Sequence, residues 1–492
     1  MNLLGANRRT KNIVVLVIFI CVSVFILLQS PLSPIGSGVP DTDSSDFIYM
    51  AQTMVEGQPL YVAAWDHKGP LQYIIDALGL LIAPGYIGIW ILEVISMVIS
   101  MVYVYKTIRL ELNRSLSLVG TLSLFTLILA TLVGGNLPEE FALPFICGGF
   151  YIFMRYFMQK KGNWLVSGLY LAVVILLKLN CAFLWVVFVP LVVLDMILSK
   201  DTKIVKYALF FLLGMVILML PIGIYLVLTN SFNAMIESYV IFNFLYIQGA
   251  SLYEIISACV VLLAHVDIAG LNVALTIGSV LILAQLFMRK DHFSKKILSI
   301  GILLLVVFGL FSMGVSGNKY AHYFIPLLVL VEYPVIFLLK AFNTHVLNKS
   351  CGKKCLSLLS CLVVVGFWIL PIPYNIGAII AARHEENENT SYYVEFIKEN
   401  TNTEDTIQIM ANHTAIYLLS GRKACCRFMF FPPGEYINTE FYQDTIISEV
   451  KEKLSNGIPR VVIIEREELL PFFSAELNDM YHEVEKNVFI AK

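Results

Sequence analysis

The sequence predicts a polytopic α-helical membrane protein with about eleven transmembrane helices and a small C-terminal α/β domain outside the membrane. Of its 492 residues, 58% are hydrophobic and only 14% are charged, and the mean hydropathy is +0.77. Apolar runs of roughly 20 residues, enough to cross the hydrocarbon core, recur along the first three quarters of the chain. These observations exclude a soluble globular protein, a single membrane anchor and a signal peptide.

The predicted transmembrane helices follow the apolar runs in order. The first run, from Ile13 to Leu28, lacks a small-residue cleavage signal and is therefore interpreted as a retained helix. The predicted spans are 12–30, 86–105, 116–134, 141–158, 164–178, 181–198, 207–228, 271–288, 297–314, 322–340 and 356–373. An odd number of spans places the two termini on opposite sides of the membrane.

The distribution of lysine and arginine predicts the orientation. Cations cluster in alternate connections, as at residues 8–11 and 289–296, and such connections are typically cytoplasmic. The opposite connections contain the single cations Lys68, Lys178 and Lys319. We therefore expect a multi-pass cell-membrane protein with a cytoplasmic N-terminus and an extracytoplasmic C-terminal domain.

The composition changes at about Arg383, which divides the chain into a membrane part, residues 1–383, and a C-terminal domain, residues 384–492. In the C-terminal domain, strands are predicted at 406–410, 427–431 and 461–464, and a helix at 440–454. A domain of this size can bury a modest core of its own.

The first extracytoplasmic connection, residues 31–85, is far longer than a link between neighbouring spans requires. Long structured loops tend to be functional. Residues 41–54 place Phe47 and Met50 on one helical face, which predicts an amphipathic interfacial helix. A second such helix is expected from Pro70, because proline is favoured at a first helical position.

Two stretches of this loop carry a family resemblance. Residues 43–54, Asp-Ser-Ser-Asp-Phe-Ile-Tyr-Met-Ala-Gln-Thr-Met, and residues 66–71, Asp-His-Lys-Gly-Pro-Leu, resemble the first outer loop of the GT-C glycosyltransferases related to protein O-mannosyltransferases and the lipid A aminoarabinose transferase. That family has an Asp-Glu-type motif where this chain has Asp-Ser, and a Lys-Pro-Pro-Leu-type motif where this chain has Lys-Gly-Pro-Leu. Either Asp43 or Asp46 is the counterpart of the family acid, and the spacing favours Asp43.

Three later stretches extend the resemblance over most of the membrane part. They are Gly134-Gly-Asn-Leu-Pro-Glu-Glu140, Leu177-Lys-Leu-Asn180 and Gly317-Asn-Lys-Tyr-Ala-His-Tyr323. Each motif is short, but all three lie on the predicted outer side and in the family order. The resemblance thus implies a GT-C-like fold and a glycosyltransferase that moves a hexosyl or pentosyl group from a polyprenyl-phosphate donor at the outer face.

Transfer from such a donor requires a base that deprotonates the acceptor hydroxyl and cations that neutralise the departing phosphate. Asp43 is the expected base, and Asp46 is the alternative. The expected phosphate-binding residues are Lys68, Lys178 and Lys319. Seven further residues are expected to support the site: Asp66, His67, Glu139, Glu140, Asn180, His322 and Tyr323.

Structural roles could also account for several of these residues. Asp43 and Asp46 could cap a helix, and Glu139 and Glu140 could interact with the dipole of the helix that follows Pro138. Lys178 could extend to the lipid interface. His322 and Tyr323 could likewise be interfacial anchors.

The expected partners are a polyprenyl-phosphate sugar donor, membrane lipid and an acceptor that is a wall polymer, a lipid or a protein; nucleic acid is not among them. No cofactor is assigned, and a divalent metal stays open, since no helix-spaced pair of ligands is evident. The adjacent Cys425 and Cys426 are not expected to form a disulfide readily with each other.

The alternative function is a transporter or flippase of a lipid-linked saccharide. Transporters usually have midplane sites and internal repeats, so the outer position of the acids and lone lysines favours an enzyme.

Overall fold

The computed structural model describes residues 8–40, 42–126, 128, 131–132, 134–248, 250–264, 293–343, 376–381, 388–432 and 442–492. The predicted spans 271–288 and 356–373 lie outside these ranges, as does the predicted domain boundary at residue 383.

Helices account for most of the described chain. In the membrane part they are α1 (Arg8–Leu27), α2 (Thr42–Val55), α3 (Pro70–Ile82), α4 (Ile87–Ile108), α5 (Arg114–Thr126), α6 (Pro138–Gln159), α7 (Trp164–Leu177), α8 (Phe183–Leu198), α9 (Ile204–Leu228), α10 (Phe232–Met235), α11 (Phe242–Gln248), α12 (Leu252–Ala264), α13 (Phe293–Gly314) and α14 (Leu328–Phe342). The C-terminal part adds α15 (Glu388–Asn400), α16 (Ala415–Ser420), α17 (Ser448–Ser455) and α18 (Leu470–Met480). Short 3₁₀ segments, Leu179–Ala182 and Ala321–Leu327, precede α8 and α14.

Within the described ranges, seven helical segments are long and apolar enough to cross a membrane. They are Arg8–Leu27, Ile87–Ile108, Pro138–Gln159, Leu179–Leu198, Ile204–Leu228, Lys296–Gly314 and Ala321–Lys340. Each overlaps a predicted span, so the chain is a multi-pass helical membrane protein. The predicted spans 116–134 and 164–178 correspond to shorter helices, α5 with 13 residues and α7 with 14. The count of eleven therefore stays a prediction.

The chain folds as two compact units. The helical unit comprises Met1–Ser30, Trp90–Ile222 and Ile247–Ala381, and the mixed unit comprises Pro31–Ile89, Gly223–Tyr246 and Ala382–Lys492. The long loop and the C-terminal segment, which are far apart in the sequence, thus belong to one unit.

The core of the helical unit forms around α6, which packs against α7 and α8. α6 starts with Pro138, whose fixed φ suits a first helical position. Along the α6–α8 contact, Phe153 and Phe188 stack with ring centroids 5.2 Å apart. The N-terminal turn of α6, which contains Glu139 and Glu140, is held separately by a hydrogen bond from Ser96 Oγ to the Glu140 carbonyl at 2.8 Å.

The mixed unit contains a five-stranded sheet and the helix pair α2 and α3. Its strands are β1 (Thr406–Met410), β2 (Lys423–Ala424), β3 (Pro459–Ile464), β4 (Tyr481–Glu485) and β5 (Val488–Ala491), in the order β2-β1-β3-β5-β4. β1 is parallel to β2 and β3, whereas β5 is antiparallel to β3 and β4. The predicted strands 406–410 and 461–464 and the C-terminal α/β character are confirmed.

The predicted strand at 427–431 is wrong, because this segment has irregular backbone. Its polar groups pair outside any ladder: the carbonyl of Arg427 accepts a hydrogen bond from the Trp65 N–H at 2.8 Å, and that of Phe428 accepts one from Gln408 Nε2 at 2.9 Å. The predicted helix 440–454 is present over its described part, as a π-helical turn (Tyr442–Ile447) followed by α17.

Candidate functional site

In the mixed unit, the loop between α2 and α3 is held in a fixed conformation by two buried tyrosines. Tyr61 has a positive φ of 62°, and its hydroxyl donates to the Lys68 carbonyl at 2.8 Å. Tyr73 on α3 donates from its hydroxyl to Asp66 Oδ2 at 2.9 Å. Both tyrosines are fully buried. The loop therefore presents residues 66–68 in a defined arrangement.

Asp66, His67 and Lys68 form a hydrogen-bonded relay. Lys68 Nζ lies 2.9 Å from His67 Nε2, and His67 Nδ1 lies 3.1 Å from Asp66 Oδ1. Because an ammonium group can only donate, Nε2 is the acceptor, and the imidazole proton is assigned to Nδ1, facing Asp66. The relay therefore fixes the direction of the Lys68 ammonium, which also lies 5.7 Å from the centre of the Phe47 ring.

The electrostatics of the relay agree with this assignment. Burial and the Lys68 charge lower the pKa of His67, so the ring is neutral at pH 7. Burial alone would raise the pKa of Asp66, but the Lys68 charge and the hydrogen bonds of His67 lower it to about 2. The relay thus contains one carboxylate, one neutral imidazole and one cation.

The two acids of α2 have different environments. Asp46 is 4% exposed and accepts a hydrogen bond from the hydroxyl of Thr414. Burial, followed by the negative charge of Asp66, raises the pKa of Asp46 well above its ordinary value, so this carboxyl group favours the neutral form. Asp43 lies in the first turn of α2 and is partly exposed. Of the two, Asp43 is the acid that solvent reaches.

Trp65, which precedes the relay in the chain, packs in a cluster of aromatic rings. Its ring is fully buried, with centroids 5.0 Å from Phe242, 5.6 Å from Phe428 and 5.5 Å from Phe430. Asn243 Nδ2 donates to the His67 carbonyl at 2.7 Å. Sequence reasoning missed Thr414, Asn243 and these aromatic residues, because they lie more than 170 positions along the chain from the loop that they contact.

The helical unit contains a second cluster of the sequence-predicted residues. The Lys178 ammonium forms an ion pair with Glu139 and lies 4.2 Å from the centre of the Tyr323 ring. His322 Nε2 is 3.9 Å from Glu139 Oε1, and the His322 ring stacks on Tyr320 with centroids 5.5 Å apart. Three separate sequence motifs thus meet at one buried carboxylate.

Glu140 interacts with Glu93 of α4, a residue that sequence reasoning missed. Both carboxyl groups are buried. Glu93 Oε1 accepts a hydrogen bond from the backbone N–H of Asn136 at 2.5 Å. A Cβ at Gly135 would lie 2.5 Å from the same oxygen, and Gly135 has a φ of +80°. Glycine is therefore required at this turn, which leads into α6.

Asn180 and Lys319 lie apart from the contacts of Glu139. The Asn180 carbonyl accepts a hydrogen bond from Ser312 Oγ at 2.6 Å; its side-chain Oδ1 is buried, with no hydrogen-bond partner among the described residues. Lys319 is exposed and interacts electrostatically with Glu254.

Within the part of the chain that the structure describes, no three His, Cys, Asp or Glu residues are grouped as they would be around a metal ion.

The fold is similar to that of solved membrane glycosyltransferases. ArnT from Cupriavidus metallidurans bound to undecaprenyl phosphate matches with a TM-score of 0.60 at 10% identity, over 98% of this chain and 98% of that chain. The oligosaccharyltransferase from Archaeoglobus fulgidus in the apo form matches with a TM-score of 0.60 at 12% identity, over 92% of this chain and 69% of that one. The GT-C fold implied by the sequence resemblance is confirmed.

A second structure of the archaeal enzyme, AglB from Archaeoglobus fulgidus with an inhibitory peptide and a dolichol-phosphate, matches with a TM-score of 0.56 at 12% identity, over 99% of this chain and 74% of that chain. No curated protein matches the sequence. The model of the competence-induced protein Ccs4 N-terminal domain matches residues 6–355. Since this match covers most of the sequence, the chain belongs to the competence-induced Ccs4 N-terminal domain family.

Proposed function

We propose that this protein is a glycosyltransferase that moves a sugar from a polyprenyl-phosphate donor to an acceptor at the outer face of the membrane. The observation that carries the proposal is the Asp66–His67–Lys68 relay, in which a lysine ammonium is held 2.9 Å from a neutral imidazole. The partly exposed Asp43 lies in the same outer connection, residues 31–85, on helix α2. A base and a fixed cation are the two groups that transfer from a phosphate donor requires.

The solved relatives support the donor class. One ArnT structure contains undecaprenyl phosphate, and one AglB structure contains a dolichol-phosphate together with an inhibitory peptide. By analogy, we assign a polyprenyl phosphate as the leaving group of this enzyme. A wall polymer, a lipid and a protein are the candidate acceptors.

In the proposed reaction, Asp43 accepts the proton of an acceptor hydroxyl while the hydroxyl oxygen attacks the anomeric carbon of the sugar. The bond between that carbon and the phosphate oxygen breaks, and its electrons leave with the polyprenyl phosphate. Lys68 stabilises the negative charge that develops on the phosphate. Lys178 and Lys319 remain proposed as further phosphate-binding residues.

Asp46 assists by being neutral. A second carboxylate one helical turn from Asp43 would repel the donor phosphate, whereas a protonated Asp46 does not. Its raised pKa and its hydrogen bond from Thr414 support this role, and they favour Asp43 over Asp46 as the base.

The test uses the full chain in lipid nanodiscs with a panel of polyprenyl-phosphate sugars and measures released polyprenyl phosphate. Undecaprenyl phosphate binding is measured for Lys68→Gln and, as a matched control, Lys423→Gln, which removes an exposed lysine of the same unit. A hydrogen bond to a charged group contributes roughly 1.5–3 kcal/mol, so Lys68→Gln should weaken binding roughly 10- to 100-fold. The control should bind normally.

Two results would overturn the proposal. One is equal binding by Lys68→Gln and Lys423→Gln. The other is movement of intact lipid-linked saccharide between leaflets without cleavage of the sugar–phosphate bond, which would identify a transporter.

A further inference from the structure

Cys425 and Cys426 immediately follow the edge strand β2 in the mixed unit. The Cys425 N–H donates to the Ile407 carbonyl at 3.0 Å, which continues the pairing with β1. Both cysteines are partly buried, and both are free thiols. The proposed transferase chemistry gives neither thiol a role.

The two side chains converge, although neighbours in an extended strand normally point to opposite faces. Cys425 Sγ lies 3.1 Å and Cys426 Sγ lies 3.7 Å from the same atom, Gln408 Oε1. Gln408 is fully buried, and its Nε2 is held by the Phe428 carbonyl at 2.9 Å. The thiols also interact with each other. A fixed acceptor thus keeps both sulfur atoms together.

The cysteine pair lies between two anchors of the candidate site. On one side, the Ala424 N–H donates to the hydroxyl of Tyr49 on α2 at 2.9 Å. On the other side, the Arg427 carbonyl accepts from the Trp65 N–H at 2.8 Å. A change in the backbone at residues 425–426 would therefore reach the helix of Asp43 and the loop of Lys68 through one hydrogen bond each.

We propose that Cys425 and Cys426 form a reversible modification site, oxidised to a disulfide by thiol–disulfide exchange with a small-molecule or protein disulfide. The Cys426 thiolate attacks the oxidant disulfide and displaces one thiolate. Cys425 then loses its proton and attacks Cys426 Sγ, which displaces the second thiolate. Two thiols are oxidised, one oxidant disulfide is reduced to two thiols, and the new bond joins the adjacent residues.

A disulfide between neighbouring cysteines is strained, and this strain makes the modification reversible. Cα atoms joined by a trans peptide are about 3.8 Å apart, whereas disulfides usually span about 4.4–6.8 Å between Cα atoms. A strained disulfide is easily reduced, and labile disulfides are typically the regulatory ones. The extracytoplasmic position predicted for this segment is one in which disulfides form.

The experiment exposes the full chain in nanodiscs to graded ratios of reduced and oxidised glutathione. Peptide mass spectrometry measures the state of residues 425–426, and hydrogen exchange measures the peptide that contains Trp65. We expect the loss of two hydrogen atoms at the pair without a glutathione adduct. We also expect exchange at the Trp65 amide to accelerate roughly fivefold or more, as loss of one hydrogen bond would cause.

Two variants separate the outcomes, and neither depends on sugar transfer. Cys425→Ser should retain a glutathione adduct on Cys426, and Cys21→Ser, which alters an exposed thiol elsewhere, should behave as the unmodified chain does. A pair that stays reduced or retains a glutathione adduct in the unmodified chain would overturn the modification site. Formation of the disulfide with unchanged exchange at Trp65 would overturn its link to the candidate site.

Discussion

At the scale of single residues, Asp43 and Asp46 differ in the property that decides their roles. Asp43 is partly exposed, whereas Asp46 is buried beneath Thr414. We predict that Asp43→Asn lowers sugar transfer about 100- to 10,000-fold, as loss of a general base does. The cost in stability should be only about 0.3–1 kcal/mol, because the lost charge lies in the first turn of a helix. Transfer rate and thermal stability are measured together.

Asp46→Asn is the matched control, because it makes the same change of side chain one turn along α2. Under the proposed function, its transfer rate should stay far closer to that of the unmodified protein. Near-normal transfer by Asp43→Asn would contradict the assignment of the base, and a selective loss of transfer in Asp46→Asn would move that role to Asp46.

Asp46 also predicts a pH dependence of stability. Because its pKa is raised on folding, the folded protein binds more protons than the unfolded chain between pH ~4 and the folded pKa. The unfolding free energy contributed by Asp46 therefore falls as pH rises through this window, by at most about 1.4 kcal/mol per pH unit. Asp46→Asn removes this effect, so the variant should gain stability relative to the unmodified protein as pH rises from ~4 toward the folded pKa of Asp46.

Thermal unfolding across that range checks the sign. Asp66 does not change the pH dependence of stability in this range, since its pKa is lowered to about 2. Its contribution is fully present above pH ~4 and is lost only as pH falls toward the folded pKa. A stability difference between Asp46→Asn and the unmodified chain that is constant with pH would show that Asp46 is ionised in the folded protein.

The sequence suffices to place Asp66, His67 and Lys68 close together, because they are neighbours in the chain and their proximity needs no tertiary information. It cannot predict the partners that set their protonation. Thr414 meets Asp46 across 368 positions, and no local pattern marks a threonine for such a contact. Glu93 is missed for the same reason, since it occurs within an apolar run and its partner Asn136 lies 43 positions away.

At the scale of elements, the apolar runs predict the long spanning helices because hydrophobic length alone defines them. They also predict α7, because its bounds of Trp164–Leu177 differ by one residue from the predicted span 164–178, but they do not reveal why the helix ends there. α7 stops at Lys178, where the backbone turns extended before a 3₁₀ segment, and Lys178 pairs there with Glu139. A lysine that ends a helix to reach a partner resembles, in sequence, one that only extends to the interface.

One element-scale contact joins α11 to the relay loop. Asn243 donates to the His67 carbonyl at 2.7 Å and to the Tyr239 carbonyl at 2.8 Å. We predict that Asn243→Ala lowers the free energy of unfolding by about 1 kcal/mol and accelerates amide hydrogen exchange at residues 66–70. Asn233→Ala, which changes an exposed asparagine of α10, should leave that exchange unaltered. Equal exchange in both variants would mean that α11 does not hold the loop.

At the scale of the whole molecule, the mixed unit is assembled from three stretches that are far apart in the chain. A change in composition near residue 383 predicts a boundary in the sequence, yet it cannot indicate what the following segment packs against. Within the unit, Phe428 and Phe430 bury Trp65, and Tyr417 packs on Tyr49 with ring centroids 5.6 Å apart.

These contacts change what deletion of residues 384–492 should do. Treated as a separate domain, the segment could be removed with donor binding still measurable. Its aromatic residues, however, cover Trp65, and its Thr414 donates a hydrogen bond to the buried Asp46.

We therefore predict that the truncated chain loses undecaprenyl phosphate binding because residues 31–89 no longer hold their fold. Binding and hydrogen exchange of residues 42–82 are measured in nanodiscs, beside the full-length double variant Phe428→Ala, Phe430→Ala. Each truncated aromatic in a core typically costs about 3–5 kcal/mol, so the double variant should reproduce the increase in exchange while its backbone stays intact. A truncated chain that keeps both protection and binding would show that residues 31–89 fold without the C-terminal segment.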